Sequence, residues 1–435
     1  MSKFQLEQLV ANAEAGKSDA QFLLSQICLQ NGDLDSMLRW LRQASAAGHP
    51  DAIGALGQCF EKGQGVAQDL ALALEHYDRA VAAGAKIAAL QKAQLLHKSR
   101  SGVENSSLIR ELLVDAAKAD VVPALRTVGY LAMQRASSRG LAIDCLRRAA
   151  QLGDPVSSFN LGWCLLQGYG GAEASREAAH WLQQAATADY PCAARLLASG
   201  DVGKPVLPAP SPDQIIQFDS EFALYPTTTD VERQVICADP AIEVLHGVLD
   251  VVDCAYLMFV SRPYLQRAAV IDPDGDKKGM VSKVRTNMST YIPFELVDVI
   301  SRYIELKIIH ASGEELMYSE PMSILCYAPG EYYRPHFDFF NPRLTIAKQF
   351  MQDGGQRTAS AVTYLSAPTA GGGTSFPNLN LTVPPAAGGT LWFRNCSEDG
   401  QVDERSLHAG DTVEAGEKWV VTKWFRENPT PYLKL

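Results

Sequence analysis

The sequence has no cysteine pair at C-x-x-C spacing, although nine cysteines are scattered over its 435 residues. An odd, scattered set in a chain this long excludes a disulfide framework as the basis of folding. It reads as reduced thiols used mostly as small core side chains. No uninterrupted apolar run reaches the roughly 18 residues that a membrane-spanning helix needs. The opening stretch, MSKFQLEQLVANAEAGK, lacks the apolar centre of a secretory signal. A cytoplasmic protein with no membrane partner is the expectation. Positive charge is in deficit: 39 Lys and Arg stand against 49 Asp and Glu, a net charge of −10. That balance argues against a nucleic-acid partner or an anionic membrane surface. Aromatic residues are sparse at 8%, yet the run YYRPHFDFF at 332–340 is dense in them.

What is present is a globular composition, 47% hydrophobic and 20% charged, on a chain too long for one typical core. Residues 1–198 are rich in Ala, Leu, Gln and Gly at helical spacing. ASAAGHPDA (44–52) returns as AVAAGAKIA (80–88), and RAAQLGDP (148–155) as QAATADYP (184–191), each offset by 36 residues. Such self-similarity marks stacked helix pairs. Small residues at fixed positions let paired helices approach, while Trp40, Tyr77 and Trp181 fill the layers between. These units resemble Sel1-like repeats, a branch of the tetratricopeptide family, with about five units over 18–198. The clearest is LGQCFEKGQGVAQDLALALEHYDRAVAAG (56–84); the first and third units are degenerate. The resemblance implies an all-α solenoid (1–198) that binds a protein partner, because stacked repeats commonly present extended surfaces. Support of the second domain is the alternative role.

Residues 199–213, SGDVGKPVLPAPSPD, oppose helix and sheet alike and read as a semi-rigid linker. From 214 to 435 the grammar changes. Helices are expected over 239–261 and 294–309. Short strands are expected at 322–328, 359–366, 379–384, 389–394 and 418–425, separated by Gly/Pro turns. Helices first and strands later make this half α+β.

His336 and Asp338 are two residues apart in the aromatic run, so on a strand both face one point. His408 in DERSLHAG lies 72 residues on, and only folding brings it near. Two histidines and one carboxylate on one face of a small barrel form the facial triad of non-haem Fe(II) oxygenases, which leaves coordination positions open. Lys418 opens an apolar strand, KWVVTKWF, and a lysine lining a barrel needs an anionic partner. The run YAPGEYYRPHFDFF…VTYLSAPTAGGGTSFP…DERSLHAGDTVEAGEKWVVTKWF resembles the catalytic domain of prolyl 4-hydroxylases among the Fe(II)/2-oxoglutarate dioxygenases, over about 240–426. That resemblance implies a double-stranded β-helix (jelly-roll) fold. It implies iron ligands at His336, Asp338 and His408, and a 2-oxoglutarate lysine at Lys418. It also implies cosubstrate contacts at Tyr327 and Thr374, with Gly373 standing where the family has a glutamate. Substrate-side positions are implied at Arg357, Trp424 and, in VRTNMS (284–289), Arg285. Fe(2+), 2-oxoglutarate and O2 are the implied cofactor and cosubstrates, with L-ascorbate as reductant. The expected activity is hydroxylation of a substrate C–H bond. The expected target is a prolyl residue of a protein recruited by the repeats. The alternatives are a free amino acid or small metabolite as substrate, and a 2-oxoglutarate- or oxygen-responsive interaction protein.

Overall fold

A computed structural model describes residues 3–99, 101–169, 177–198, 216–218, 221–226, 231–270, 280–281, 284–293, 297–343, 345–397 and 399–431. The chain divides into two compact units, one ending its run of helices at Asp154 and the other beginning at Pro155. The linker expected at 199–213 lies outside the described residues.

The first unit is a run of helices in which each packs on the next, from Lys3–Glu14 through Pro50–Lys62 and Leu70–Ala82 to Arg139–Gln151. The small-residue rule has a direct steric basis. A Cβ on Gly57 would sit 2.8 Å from the Tyr77 ring, and one on Gly129 would sit 2.7 Å from Leu146. Neither distance is compatible with a side chain, so glycine sets the helix–helix spacing. Trp40 and Tyr77 are buried where the repeat pattern placed them.

The second unit starts with a further helix pair of the same grammar, Pro155–Leu166 and Ala178–Thr187. Gly162 would meet Leu182 at 2.7 Å. This pair does not stand alone. Helix Pro155–Leu166 packs on helix Val251–Ser261, and the Tyr190 ring bridges Phe159 (4.9 Å between centroids) and Phe259 (5.0 Å).

The rest of the second unit is built on antiparallel sheets. The larger has eight strands in the order Glu232–Cys237, Ile242–His246, Thr390–Arg394, Arg357–Ser366, Lys418–Arg426, Ser323–Tyr327, Met288–Tyr291 and Gln266–Arg267. The smaller has four, in the order Leu381–Val383, Thr374–Phe376, His408–Gly410 and Tyr333–His336. Leu325, Tyr327, Val362, Tyr364, Phe376 and Phe393 from the two sheets share one core. The C-terminal half is therefore the expected sheet-rich domain. The helix expected over 239–261 is corrected: Ile242–His246 is a strand between two partners, and the helix begins at Val251. Asp250 accepts the N–H groups of Val252 and Asp253, and Asp253 Oδ2 accepts the Asp250 N–H. This capping box fixes the start, and ladder pairing upstream overrides helical periodicity. The helix expected over 294–309 is found as Val299–Ser312, started by the Asp298 cap, and 294–296 lie outside the described residues. All nine cysteines are free thiols. Among the described residues no helix is long and apolar enough to cross a membrane.

Because the Tyr190–Phe259 contact joins the last helix pair to the sheet domain, a fragment 155–435 should melt cooperatively and above a fragment 214–435. Losing that aromatic packing costs about 2–4 kcal/mol. Thermal unfolding by circular dichroism checks this, and equal midpoints would show the pair to be dispensable.

Candidate metal centre

The smaller sheet makes the site. Strand Tyr333–His336 pairs antiparallel with His408–Gly410, and His408 is the register partner of His336. Directly opposite residues point to the same face, so the two imidazoles meet, with ring centroids 4.3 Å apart. The strand stops at His336, and the turn after it returns Asp338 to the same place. His336 Nε2 lies 3.8 Å from Asp338 Oδ1, and His408 Nε2 lies 3.6 Å from Asp338 Oδ2. One ligand atom from each residue lies within 4.8 Å of the others.

Each imidazole is oriented in the same way. His336 Nδ1 donates to Arg334 O at 2.9 Å, and His408 Nδ1 donates to Ser406 O at 3.0 Å. A carbonyl only accepts, so each ring carries a proton on Nδ1 and turns Nε2 to the centre, the orientation a metal ligand needs. Ser360 Oγ donates to Asp338 Oδ2 at 2.7 Å and accepts from Asn395 Nδ2 at 2.9 Å. Burial, helped by the neighbouring His408, pushes the His336 imidazolium far down, so the ring is neutral near pH 7. Burial pushes the Asp338 carboxyl up, but His408, His336, Arg357 and Ser360 together outweigh it and hold it below the ordinary carboxylate range. Two lone pairs and one negative charge thus converge on one point. Left alone they repel; a divalent cation reverses the sign. The N2O donor set suits Fe(II) with open positions.

Lys418 begins the strand at the centre of the larger sheet, opposite Tyr327. It is 3% exposed. Its Nζ donates to Gly373 O at 3.3 Å and lies 5.3 Å from the Tyr327 ring and 5.5 Å from the Tyr364 ring. Among the described residues it has no ion pair. Burial drives its pKa down to about 8, against a smaller upward pull from Asp411. An ammonium with one carbonyl and two ring faces is short of acceptors, and a carboxylate supplies them. Thr374 Oγ1 is 2.8 Å from the Tyr364 hydroxyl. Burial raises the Tyr327 phenol. Ser360 and Tyr364 are site residues that sequence reasoning missed. The signal was the two-residue alternation of the strand Arg357–Ser366, which puts 360, 362 and 364 on one face.

Of the expected substrate positions, Arg357 is held by its neighbours. Its Nε and one terminal nitrogen each donate to the Glu320 carboxylate at 2.7 Å, and the other terminal nitrogen lies 3.3 Å from Asp338 O. Its guanidinium stacks 3.9 Å from the Trp424 ring. Trp424 Nε1 is buried with no hydrogen-bond partner among the described residues. Arg285 lies 4.8 Å over the Tyr333 ring, which in turn stacks at 3.5 Å on His336. At Gly373 a Cβ would come within 3.0 Å of Asp411 Oδ2 and 3.1 Å of Thr382 Cγ2, so a glutamate there would force a shift.

Residues 322–426 match the 2OG-Fe(II) oxygenase superfamily. Prolyl 4-hydroxylase 1 of Arabidopsis thaliana is 34% identical over 215 residues, 46% of this chain and 74% of that protein. This chain belongs to the prolyl 4-hydroxylases of the 2OG-Fe(II) oxygenase superfamily. Prolyl 4-hydroxylase 2 of the same plant is 32% identical over 43% of this chain and 68% of that protein. The viral collagen prolyl hydroxylase of Paramecium bursaria Chlorella virus-1 aligns with 24% identity over 42% of this chain and 95% of its own, at a TM-score of 0.33. As a family member the chain is a 2-oxoglutarate-dependent dioxygenase, with Fe(2+), 2-oxoglutarate and O2 as cofactor and cosubstrates. Outside this domain, Sel1 repeats match residues 18–49, 50–84, 134–154 and 155–190. The unmatched stretch between 84 and 134 holds the degenerate third unit.

Asp338→Ala should abolish tight binding of Mn(II), used as a stable divalent probe, while the fold is retained. Electron paramagnetic resonance of free Mn(II) reads this, and unchanged affinity would remove Asp338 from the ligand set.

Lys418 gives a pH signature. Only its protonated form pairs with a dicarboxylate, and its pKa in the free protein is about 8. Affinity for 2-oxoglutarate should be flat below that pH and fall as pH rises through it. In Lys418→Met the affinity at pH 7 should drop at least about tenfold, since losing a charge-assisted buried contact costs about 2–5 kcal/mol, and the pH dependence should vanish. Calorimetric titration of the Mn(II)-loaded protein with 2-oxoglutarate measures both.

Proposed function

We propose that this chain hydroxylates prolyl residues of a protein substrate, with His336, Asp338 and His408 holding Fe(II) and Lys418 holding the distal carboxylate of 2-oxoglutarate. The convergence of three oriented donors within 4.8 Å, beside a buried lysine short of acceptors, carries this reading. Iron with 2-oxoglutarate and O2 supplies the oxidising power to break a C–H bond. The chain supplies the rest. The Nδ1–H bonds fix both imidazoles, Ser360 fixes one oxygen of Asp338, and Lys418 sets the orientation of the cosubstrate. Tyr327 and the Thr374–Tyr364 hydroxyl pair line the same wall as Lys418 and exclude water there.

A polypeptide substrate fits the flank of the site. Tyr291 is 53% exposed and Phe337 38% exposed, and Tyr291 lies 6.4 Å from Trp424 between ring centroids. Arg285 lies beyond Tyr333. Two exposed aromatics favour a chain over a free amino acid, which would use little of that surface. We assign the helical repeats of 1–198 to recruiting the protein that carries the target, with 199–213 as linker and 214–435 as catalytic domain. Tethering then raises the target's effective concentration at the iron.

The test is mass spectrometry of proline-containing peptides and of free proline after incubation with Fe(II), 2-oxoglutarate and ascorbate. A gain of one oxygen on proline within a peptide, with stoichiometric succinate, is the expected result. Hydroxylation of free proline alone would overturn the polypeptide reading.

A further inference from the structure

A chain of buried charges runs from the support helix to the metal centre, and no member of it supplies a donor atom there. Glu305, on helix Val299–Ser312, is fully buried and binds two cations. Arg302 donates to one of its oxygens at 2.5 Å and Lys423 Nζ donates to the other at 2.6 Å. Lys423 Nζ also donates to the backbone carbonyl of Glu320. The Glu320 carboxylate accepts both nitrogens of the Arg357 fork and Arg426 at 2.9 Å. The remaining terminal nitrogen of Arg357 lies 3.3 Å from the carbonyl oxygen of Asp338.

As a source of stability this arrangement is poor. Buried ion pairs commonly contribute no more than apolar side chains of the same volume, because desolvation offsets the attraction. Its geometry has another use. The strand carrying His336 ends at that residue, so Asp338 sits in irregular backbone without ladder bonds to hold it. Arg357 grips that backbone from one side while Ser360 grips the carboxylate from the other. Arg357 is itself fixed by a bidentate pair and by stacking on Trp424 and Phe340. Arg357, the member of this chain nearest Asp338, also favours its ionised form.

We propose that Glu320 and Lys423 are positioning residues for the metal centre: through Arg357 they hold the turn that presents Asp338. This rests on the reading of Asp338 as a metal ligand. It differs from a merely structural role in what it predicts, since it ties metal affinity to residues remote from the donor atoms.

Mn(II) affinity by electron paramagnetic resonance, with thermal unfolding alongside, tests this on the full chain. Glu320→Gln should keep the fold and weaken Mn(II) binding about tenfold, the usual cost of losing an outer contact that orients a ligand. Glu320→Asp, which keeps the charge, should recover part of the loss. Lys307→Met serves as the control, because it removes a half-buried lysine whose 2.7 Å pair with Asp253 anchors the same helix. It should lower the melting temperature without changing Mn(II) affinity. If Glu320→Gln does not fold, Lys423→Met, an apolar replacement of similar length, carries the measurement with the same expectation of weakened binding. Wild-type affinity in a folded Glu320→Gln or Lys423→Met overturns the proposal, as does an equal loss in Lys307→Met. The underlying reading fails separately, if the wild type does not bind Mn(II) or if Asp338→Ala binds as well as the wild type.

Discussion

Two imidazoles and a carboxylate must be held with their ligand atoms aimed at one point, an arrangement that a cation completes. Much of the sheet domain can be understood as the means of imposing it. Antiparallel pairing sets His408 opposite His336, so neither ring can retreat without breaking the ladder. Backbone carbonyls two residues upstream of each histidine take the Nδ1 protons. Asp338 has no ladder and is held by side chains instead. The scaffold thus stores the cost of convergence in hydrogen bonds formed on folding, so binding need not supply it.

The same logic governs the charges around the centre. Charges in the interior are tolerated here in two ways. Glu305 is satisfied by Arg302 and Lys423, and Glu320 by Arg357 and Arg426. Lys418 is left short of acceptors, with its pKa lowered to about 8 by burial. A satisfied buried charge is architecture; an unsatisfied one is an invitation to a ligand. The contrast between Lys423 and Lys418, five residues apart on one strand but on opposite faces, shows how pleat parity separates the two roles.

The repeats follow a simpler constraint. Glycines at 57, 129 and 162 let neighbouring helices approach to distances that a Cβ would forbid. The 36-residue offset is the visible trace of that packing. The last helix pair uses the same device and also packs on helix Val251–Ser261 through Tyr190 and Phe259. That contact binds a unit of repeat grammar into the body of the catalytic half, a feature no repeat periodicity contains.

The linear order of residues determined the two grammars, the repeat period and most strand positions in the C-terminal half, and it singled out His336, Asp338, His408 and Lys418 as candidates. These are local properties: helical and strand periods, glycines where backbones meet, and polar residues set in apolar runs. Tertiary structure decided the rest, because it depends on partners far away in sequence. It turned 242–246 into a strand by giving it neighbours on both sides. It put Ser360 on Asp338 and Tyr364 on Thr374. It enclosed Arg357 between Glu320 and Trp424. It also decided that, among the described residues, Lys423 would have an ion-pair partner and Lys418 none. Periodicity can show which way a side chain points, but which side chain comes to meet it is settled only when the sheet closes.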